Sequence, residues 1–268
     1  MNTNIAVCIA GATGWAGSAL AKAVVDVSDI DLVAAVSRTH AGAALGSVID
    51  KPGLTLEISA SVGQALELRP DVLVEYTHPD VAKGHILTAL RRGVHVVVGT
   101  SGLSDADYDE IDVVAQEMGK GVLACGNFAL GAVLLQKFAA MAAEHIPHWE
   151  IIDYAHADKV DSPSGTALEL ANRLATVRES SLDVPLDDVR GPRESRGARL
   201  GGSQVHSVRL PGYVISLEAV FGLPDQRLTL RFDSGASAEP YIAGAMMAIR
   251  KVGHLTGLHR GLESVMEF

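Results

Sequence analysis

The chain has 268 residues, of which 48% are hydrophobic and 20% charged, and its formal net charge at pH 7 is −10. This length and composition predict a compact protein with a sizeable core, organised as one large or two modest domains. An acidic balance without a basic cluster argues against nucleic acid or an acidic membrane surface as a partner. We expect a cytoplasmic location, because the sequence carries neither a signal-peptide pattern nor an apolar run long enough to span a bilayer.

The first predicted strand is the apolar run 4–10, and the glycine-rich sequence GATGWAG (residues 11–17) follows it directly. Glycines placed between a strand and a helix suit a tight turn, close approach of a pyrophosphate and close packing of the helix on the sheet. Turns of purely structural function have the same composition. We predict a dinucleotide-binding turn formed by Gly11, Thr13, Gly14, Trp15, Ala16 and Gly17.

The second predicted strand, 31–36, ends at Ser37 and Arg38. In NAD-binding proteins an acidic residue about 20 positions after the glycines holds the ribose hydroxyls. A serine followed by an arginine instead favours a 2′-phosphate, because a guanidinium binds phosphate bidentately whereas a carboxylate repels it. We predict that Ser37 and Arg38 bind the cofactor and that NADPH is preferred, with NADH as the alternative. An ordinary surface arginine is the competing interpretation.

Further predicted strands at 71–74, 95–98 and 121–125 alternate with helices near 62–68, 81–92 and 104–118. This alternation predicts a parallel sheet with helices on both faces, whose ligands bind at the carboxyl ends of the strands. The two cysteines, Cys8 and Cys125, are expected to be buried, reduced thiols. The turns at the strand ends add the cofactor candidates Thr77, Gly99, Thr100, Gly102, Asn127 and Phe128.

The pattern changes near residue 128, where a long apolar helix, a strand at 148–154 and a helix after Pro163 precede three strands that we interpret as antiparallel. We therefore predict an α/β protein with a Rossmann-type domain and a second, α+β domain whose sheet is mixed or antiparallel. The expected boundaries are 1–127 and 239–268 for the dinucleotide-binding domain and 128–238 for the other. The polar segment 178–202 is a candidate mobile lid.

A polar segment after the strand at 148–154 is the candidate substrate site. It carries His156 and Lys159 and runs through SPSGT (residues 162–166) into a helical pattern. We expect Pro163 in the first helical turn, which leaves the backbone N–H groups of residues 164–166 free to bind a carboxylate or phosphate. A simple helix start after a solvated loop is the competing interpretation. The histidines are scattered, so no metal site is expected.

Four segments together resemble the dihydrodipicolinate reductase family: the glycine turn, GTSG at 99–102, NFALG at 127–131 and KVDSPSGTA at 159–167. The match spans the chain in the same order, and the last block is the most specific. The resemblance implies an NADPH- or NADH-dependent reductase of a cyclic imine or enamine carboxylate in the lysine (diaminopimelate) pathway. It also implies a homotetramer formed through the second domain, with the small anionic substrate bound by Lys159, Ser164, Gly165 and Thr166.

One departure from the family pattern concerns the proton donor. The family has two adjacent histidines where this chain has Ala155 and His156, so the usual donor position holds an alanine. General acid–base assistance typically contributes about 10²–10⁴-fold, so its loss weakens the reaction without abolishing hydride transfer. We predict that His156 substitutes as the donor, with Asp158, Tyr154 or water as alternatives, and that Lys159 completes the catalytic pair. A positioning or structural role for His156 is the competing interpretation.

Two further departures from the family pattern leave other functions open. Phe232 and Ala238 align with a histidine and an arginine of the family pattern, which suggests a substrate with fewer anionic groups. A divergent reductase of another cyclic imine, or a non-catalytic NADPH-binding protein, would also carry such changes. A semialdehyde dehydrogenase is disfavoured, because its chemistry needs a cysteine nucleophile and both cysteines belong to predicted core strands.

Overall fold

The computed structural model describes residues 4–267, which form two compact units. Unit 1 comprises 4–129 and 238–267, and unit 2 comprises 130–237, so the chain returns to unit 1 after building unit 2. Within 4–267, no helix combines the length and the apolar character needed to cross a membrane.

Twelve strands and eight α-helices form the two units. The strands are β1 (Ile5–Ala10), β2 (Ile30–Val36), β3 (Ile58–Ser59), β4 (Val72–Glu75), β5 (His95–Val98), β6 (Gly121–Ala124), β7 (His148–Ala155), β8 (Ala198–Leu200), β9 (Ser203–Arg209), β10 (Ile215–Leu223), β11 (Gln226–Ser234) and β12 (Gly257–Arg260). The helices are α1 (Trp15–Val25), α2 (Leu45–Ile49), α3 (Val62–Ala65), α4 (Pro79–Arg91), α5 (Asp105–Glu117), α6 (Leu130–His145), α7 (Gly165–Ala175) and α8 (Glu239–Val252).

Unit 1 is built on a seven-stranded sheet with the order β12-β6-β5-β4-β1-β2-β3, and every strand pair in it is parallel. The interior strands are continuous apolar runs, as expected for a sheet covered on both faces. Cys8 and Cys125 are buried and form no disulfide with each other, and burial raises the pKa of Cys8 to about 12. The predicted Rossmann-type parallel sheet is confirmed.

Unit 2 contains a five-stranded mixed sheet with the order β11-β10-β7-β9-β8. The prediction of a mixed or antiparallel sheet is confirmed: β10 pairs antiparallel with β7 and β11, whereas β9 pairs parallel with β7 and antiparallel with β8. Strand β9 is the second strand of the β8–β9 hairpin, so it runs opposite to β8 and in the same direction as β7. Strand β7 is therefore the centre of the sheet, between antiparallel β10 and parallel β9.

Alternation along β7 determines which side chains face the helices of unit 2. Every second residue from Trp149 to Ala155 is buried, and the residues between them are half-exposed. Trp149 and Ile151 pack in one core cluster with apolar residues of α6 and α7. The period of two places Asp153 and Ala155 on this same helix-covered face.

The segment 178–202 is more structured than the lid prediction assumes. It contains two short 3₁₀ helices, Leu186–Asp188 and Arg193–Arg196, and ends in β8, which pairs with β9. Charged residues obscure the apolar periodicity of this segment, so the sequence pattern did not predict these short elements. That the segment moves stays a prediction.

Candidate functional site

The glycine turn after β1 has the backbone geometry that only glycine tolerates. Gly11 has φ +81°, and a Cβ added there would lie 2.1 Å from the carbonyl oxygen of Tyr76. A Cβ on Gly17 would lie 2.1 Å from the carbonyl oxygen of Gly11, so this glycine allows α1 to pack against the turn. Gly14 is the N-cap of α1 and supplies no side-chain cap, which leaves the first-turn N–H groups open to an anion.

A cavity of about 400 Å³ lies beside this turn in unit 1. The hydroxyls of Thr13 and Ser37 are 2.8 Å apart in its wall. Arg38 also lines it, is exposed, and forms no ion pair with any described residue. The uncapped helix and the cavity fit a nicotinamide dinucleotide. Ala16 lines a second, smaller cavity nearby, together with Thr77, Gly99 and Thr100.

A buried carboxylate organises the carboxyl end of β4. Glu75 has no exposed side-chain surface, and its oxygens accept hydrogen bonds from the backbone N–H and the hydroxyl of Thr77. Nδ1 of His85 lies 2.9 Å from the other oxygen of the same carboxylate. The Thr100 hydroxyl bonds the Glu75 carbonyl oxygen at 3.2 Å and accepts from the Thr77 N–H at 2.9 Å. Two predicted cofactor residues are therefore fixed by one buried acid.

Aromatic packing explains the glycine at the end of β5. A Cβ on Gly99 would lie 1.9 Å from Cε1 of Tyr76, so the tyrosine ring fills the space beside this glycine. That ring packs edge-on against Phe128 with centroids 5.9 Å apart. Gly102 has φ +94°, in the left-handed region that favours glycine. After β6, the side-chain oxygen of Asn127 accepts the backbone N–H of Ala129 at 2.8 Å.

Trp15 stands out among the residues of the glycine turn because its side chain points away from the core. It is 60% exposed and meets the ring of Tyr241 edge-on, with centroids 5.6 Å apart. Its location at the first position of α1 keeps a large apolar surface next to the open helix end.

In unit 2 a helix begins within the predicted segment 162–166, with two corrections to the prediction. Helix α7 begins at Gly165 with Ser164 as N-cap, so Pro163 precedes the cap and does not lie in the first turn as expected. The N–H of Ser164 is also not free, because it donates to Oδ2 of Asp153 at 2.7 Å. Gly165 and Thr166 occupy the first two helical positions, whose N–H groups have no partner within a helix.

The charged residues before this turn form two local pairs. Nζ of Lys159 lies 2.7 Å from Asp161, and this pairing lowers the pKa of the Asp161 carboxyl. Nδ1 of the exposed His156 lies 2.5 Å from Asp158, and this hydrogen bond lowers the pKa of the Asp158 carboxyl. Ala155 is fully buried at the end of β7.

Two residues named in the sequence comparison with the family have packing roles. The ring of Phe232 lies against the first turn of α6, where a Cβ on Gly131 would come within 2.7 Å of it. Ala238 is the N-cap of α8 and is 5% exposed.

Tyr154 lies on the half-exposed face of β7, where its hydroxyl donates to Glu218. Burial and then the nearby Glu218 raise the pKa of Tyr154.

Sequence reasoning missed two pairs of supporting residues, one in each unit. Glu75 pairs with His85 and bonds the cofactor candidates Thr77 and Thr100, and Asp153 pairs with Arg209 and bonds Ser164 at the start of α7. Each acid is a charged residue within an apolar strand, a signal that was available in the sequence. Among residues 4–267, no group of three or more His, Cys, Asp or Glu side chains is arranged to hold a metal ion.

Comparison with known proteins assigns both halves of the chain to one family. Residues 5–128 match the family model for the N-terminus of dihydrodipicolinate reductase, and residues 131–266 match the model for its C-terminus. The 4-hydroxy-tetrahydrodipicolinate reductase of Bacillus pumilus is 40% identical over 267 residues, which is 99% of each chain. The enzyme of that name from Thermosynechococcus vestitus is 38% identical over 272 residues, covering 99% of this chain and 98% of the relative.

Solved structures agree. A dipicolinate-bound dihydrodipicolinate reductase from Paenisporosarcina sp. TG-14 superposes with a TM-score of 0.88 at 31% identity, covering 98% of this chain and all of that one. An amine dehydrogenase from Mycobacterium smegmatis, at 16% identity and a TM-score of 0.67 over 96% of this chain and 94% of that one, shares the fold alone. The chain therefore belongs to the dihydrodipicolinate reductase family of nicotinamide-dependent oxidoreductases.

Proposed function

We propose that this reductase uses NADPH to reduce the cyclic imine or enamine dicarboxylate of the lysine pathway, the substrate after which its relatives are named. The observation that carries the proposal is the start of α7. There a capped helix presents two first-turn N–H groups, and the lysine of the family-specific block lies in the preceding loop. This arrangement suits a substrate carboxylate.

Unit 1 supplies the cofactor residues in this proposal. The uncapped start of α1 receives the pyrophosphate, and the close-packed Gly11 and Gly17 let the backbone approach it. Ser37 and Arg38 receive the 2′-phosphate, which favours NADPH over NADH. When bound, the nicotinamide supplies the hydride, and the turns at Thr77, Gly99–Gly102 and Asn127–Phe128 shape its surroundings.

Unit 2 supplies the substrate residues. Lys159 holds a substrate anion, and Gly165 and Thr166 donate backbone hydrogen bonds to a carboxylate. Hydride addition to the ring leaves a site that must take up a proton. His156 donates this proton, and Asp158 orients its imidazole through Nδ1 so that the other ring nitrogen faces away from the carboxylate.

Reduction of a different cyclic imine is the second candidate function. It is favoured by Ala155, because the buried alanine leaves this reductase without a proton donor at the strand end that its family uses. Phe232 and Ala238, both engaged in packing, add no polar recognition of a second carboxylate.

The deciding experiment follows NADPH oxidation by absorbance with freshly generated dihydrodipicolinate, and then with cyclic imines that lack one carboxylate. Turnover on dihydrodipicolinate that falls strongly in Lys159→Ala supports the proposed function, and Lys137→Ala on α6 is the control. Turnover only on another imine establishes the second candidate. Binding of NADPH without turnover of any substrate would contradict both.

We further propose a cytoplasmic homotetramer assembled through unit 2. The half-exposed face of β7, which carries Glu150, Ile152 and Tyr154, supports this surface as the contact between copies. Light scattering coupled to size exclusion should give four times the chain mass, and a monomer mass would overturn this assembly.

A further inference from the structure

An acid buried beneath the anion-binding turn determines where that turn lies. Asp153 is 1% exposed, and it is the only charged residue on the helix-covered face of β7 within 148–155. One of its oxygens accepts the backbone N–H of Ser164 and the other accepts the Ser164 hydroxyl, both at 2.7 Å. Since Ser164 is the N-cap of α7, both bonds fix the start of the helix that binds the substrate anion in the proposed function.

The charge of this buried acid is balanced by an arginine on the adjacent strand. Nη2 of Arg209 lies 2.8 Å from Oδ2 of Asp153, and Nη1 donates to the Asp153 carbonyl oxygen at 3.1 Å. Arg209 is the register partner of Ala155 in the parallel pair of β9 and β7, which places it beside Asp153. A buried carboxylate without such a partner would be very costly.

The same guanidinium also holds the loop in front of the turn. Nη2 of Arg209 donates to the carbonyl oxygen of Asp161 at 2.7 Å, and the side chain of Asp161 pairs with Lys159. The planar guanidinium of Arg209 therefore contacts both the end of β7 and the loop that carries Lys159. An ammonium group has no such fixed geometry, so a lysine cannot reproduce both contacts.

Arg209 also neutralises the charge of Asp153 behind the start of α7. The carboxylate of Asp153 lies directly behind the N-cap, and an unbalanced negative charge there would oppose a substrate carboxylate at the N–H groups of Gly165 and Thr166. With Arg209 in place, the pair is neutral overall and the helix start keeps its attraction for anions. Asp153 therefore holds the N-cap Ser164 without repelling the substrate carboxylate, as an unpaired acid would.

We propose that Asp153 and Arg209 are positioning residues for substrate binding: they fix Ser164 and the Lys159 loop and neutralise each other behind the anion-binding turn. This inference rests on the proposed function. Because the two charges neutralise each other, losing Arg209 alone should weaken anion binding more than losing both residues together.

The test uses dipicolinate, the ligand bound in the related Paenisporosarcina structure, as the probe. Its Kd is measured by calorimetry on the full-length NADPH complex of the wild type, Asp153→Asn, Arg209→Met and the double variant. We expect Arg209→Met to weaken dipicolinate binding by ~10²-fold, Asp153→Asn by ~10-fold, and the double variant less than Arg209→Met. The Kd of NADPH should stay within about twofold, because both residues belong to unit 2 and the proposed cofactor residues belong to unit 1.

Glu179→Gln is the matched control. Glu179 also pairs with an arginine of unit 2, Arg199, but its side chain is exposed and belongs neither to the start of α7 nor to the face of β7. We expect wild-type dipicolinate affinity in this variant. If Arg209→Met does not fold, Arg209→Lys carries the test, with a raised KM for dihydrodipicolinate and a kcat close to that of the wild type.

Folded Asp153 and Arg209 variants that bind dipicolinate and substrate as the wild type does would overturn the inference while the proposed function stands. A double variant that is as weak as Arg209→Met would overturn its electrostatic part. A wild-type protein that neither binds dipicolinate nor reduces dihydrodipicolinate overturns the proposed function itself.

Discussion

The carboxylate of Glu75 lies 2.9 Å from Nδ1 of His85 and is completely buried at the end of β4. The other carboxylate oxygen accepts from Thr77, and an amide in its place keeps only one acceptor oxygen, so Thr77 and His85 cannot both keep a carboxylate partner. We predict that Glu75→Gln lowers the free energy of unfolding by about 3 kcal/mol and weakens NADPH binding. Urea denaturation and a cofactor titration measure the two effects.

The control for this change is Asp80→Asn, which breaks the exposed pair between His78 and Asp80 near the same cavity. Exposed pairs contribute little to stability. Equal losses of stability in both variants would show that the burial of Glu75 has no special importance.

Gly17→Ala should prevent the glycine turn from forming. The added Cβ would lie 2.1 Å from the carbonyl oxygen of Gly11, and backbone cannot move aside as a flexible side chain does. We expect an insoluble or unfolded protein, or a folded one that has lost NADPH binding. Gly84→Ala in α4 is the control, since a Cβ there meets nothing within 4 Å, and it should stabilise the helix by about 0.5–1 kcal/mol. Melting curves of the two variants that move alike would contradict this prediction.

Arg38→Ala should change the choice of cofactor. The guanidinium has no ion pair among the described residues and is therefore available to a 2′-phosphate. We expect the Kd of NADPH to rise by ~10–100-fold while that of NADH changes little. Arg91→Ala, at the end of α4, should change neither. Equal weakening of both cofactors would mean that Arg38 does not recognise the phosphate.

His156→Asn should remove the general acid. Acid–base assistance is worth about 10²–10⁴-fold, so kcat should fall by at least ~10²-fold with a smaller change in KM. A general acid works only when protonated, so the wild-type rate should fall as the pH rises, and the variant should lack this limb. Asp158→Asn removes the negative partner 2.5 Å from Nδ1 and should lower kcat, because the imidazole loses the group that orients it. A His156→Asn rate that keeps the wild-type pH profile assigns the proton to water.

His95 should make the fold sensitive to acid. Burial, then the nearby Lys120 and His254, lower the pKa of His95, although Asp71 acts in the opposite direction. The unfolded chain then binds a proton that the folded chain resists, so stability is complete above about pH 6.5 and decreases as the pH falls through that value.

His95→Asn tests this pH dependence. The Gly121 N–H donates to Nδ1 of His95 at 3.0 Å, and an asparagine oxygen can accept the same bond without titrating. Melting temperatures on either side of about pH 6.5 should differ less in this variant than in the wild type. His145→Asn, at the exposed end of α6, should keep the wild-type difference.

Local patterns predicted most of unit 1 and the helix that begins within 162–166. Strands β1, β2 and β4–β6 are apolar runs between turns, and the Lys159–Thr166 block lies on contiguous residues. The elements missed were short: α2 and β3 have few residues, and β12 gains its stability from pairing with β6, far away in the sequence. Asp153 and Arg209 are separated by 56 positions, so no local pattern could show that they meet.

The return of the chain to unit 1 has a consequence for how the protein is made. Residues 130–237 form unit 2 from one continuous stretch, whereas unit 1 lacks α8 and the edge strand β12 until 238–267 have been synthesised. On the ribosome, unit 2 can therefore complete its core while the parallel sheet of unit 1 still exposes the edge of β6. Until β12 pairs with it, that edge presents unpaired backbone groups to which a strand of another chain could add.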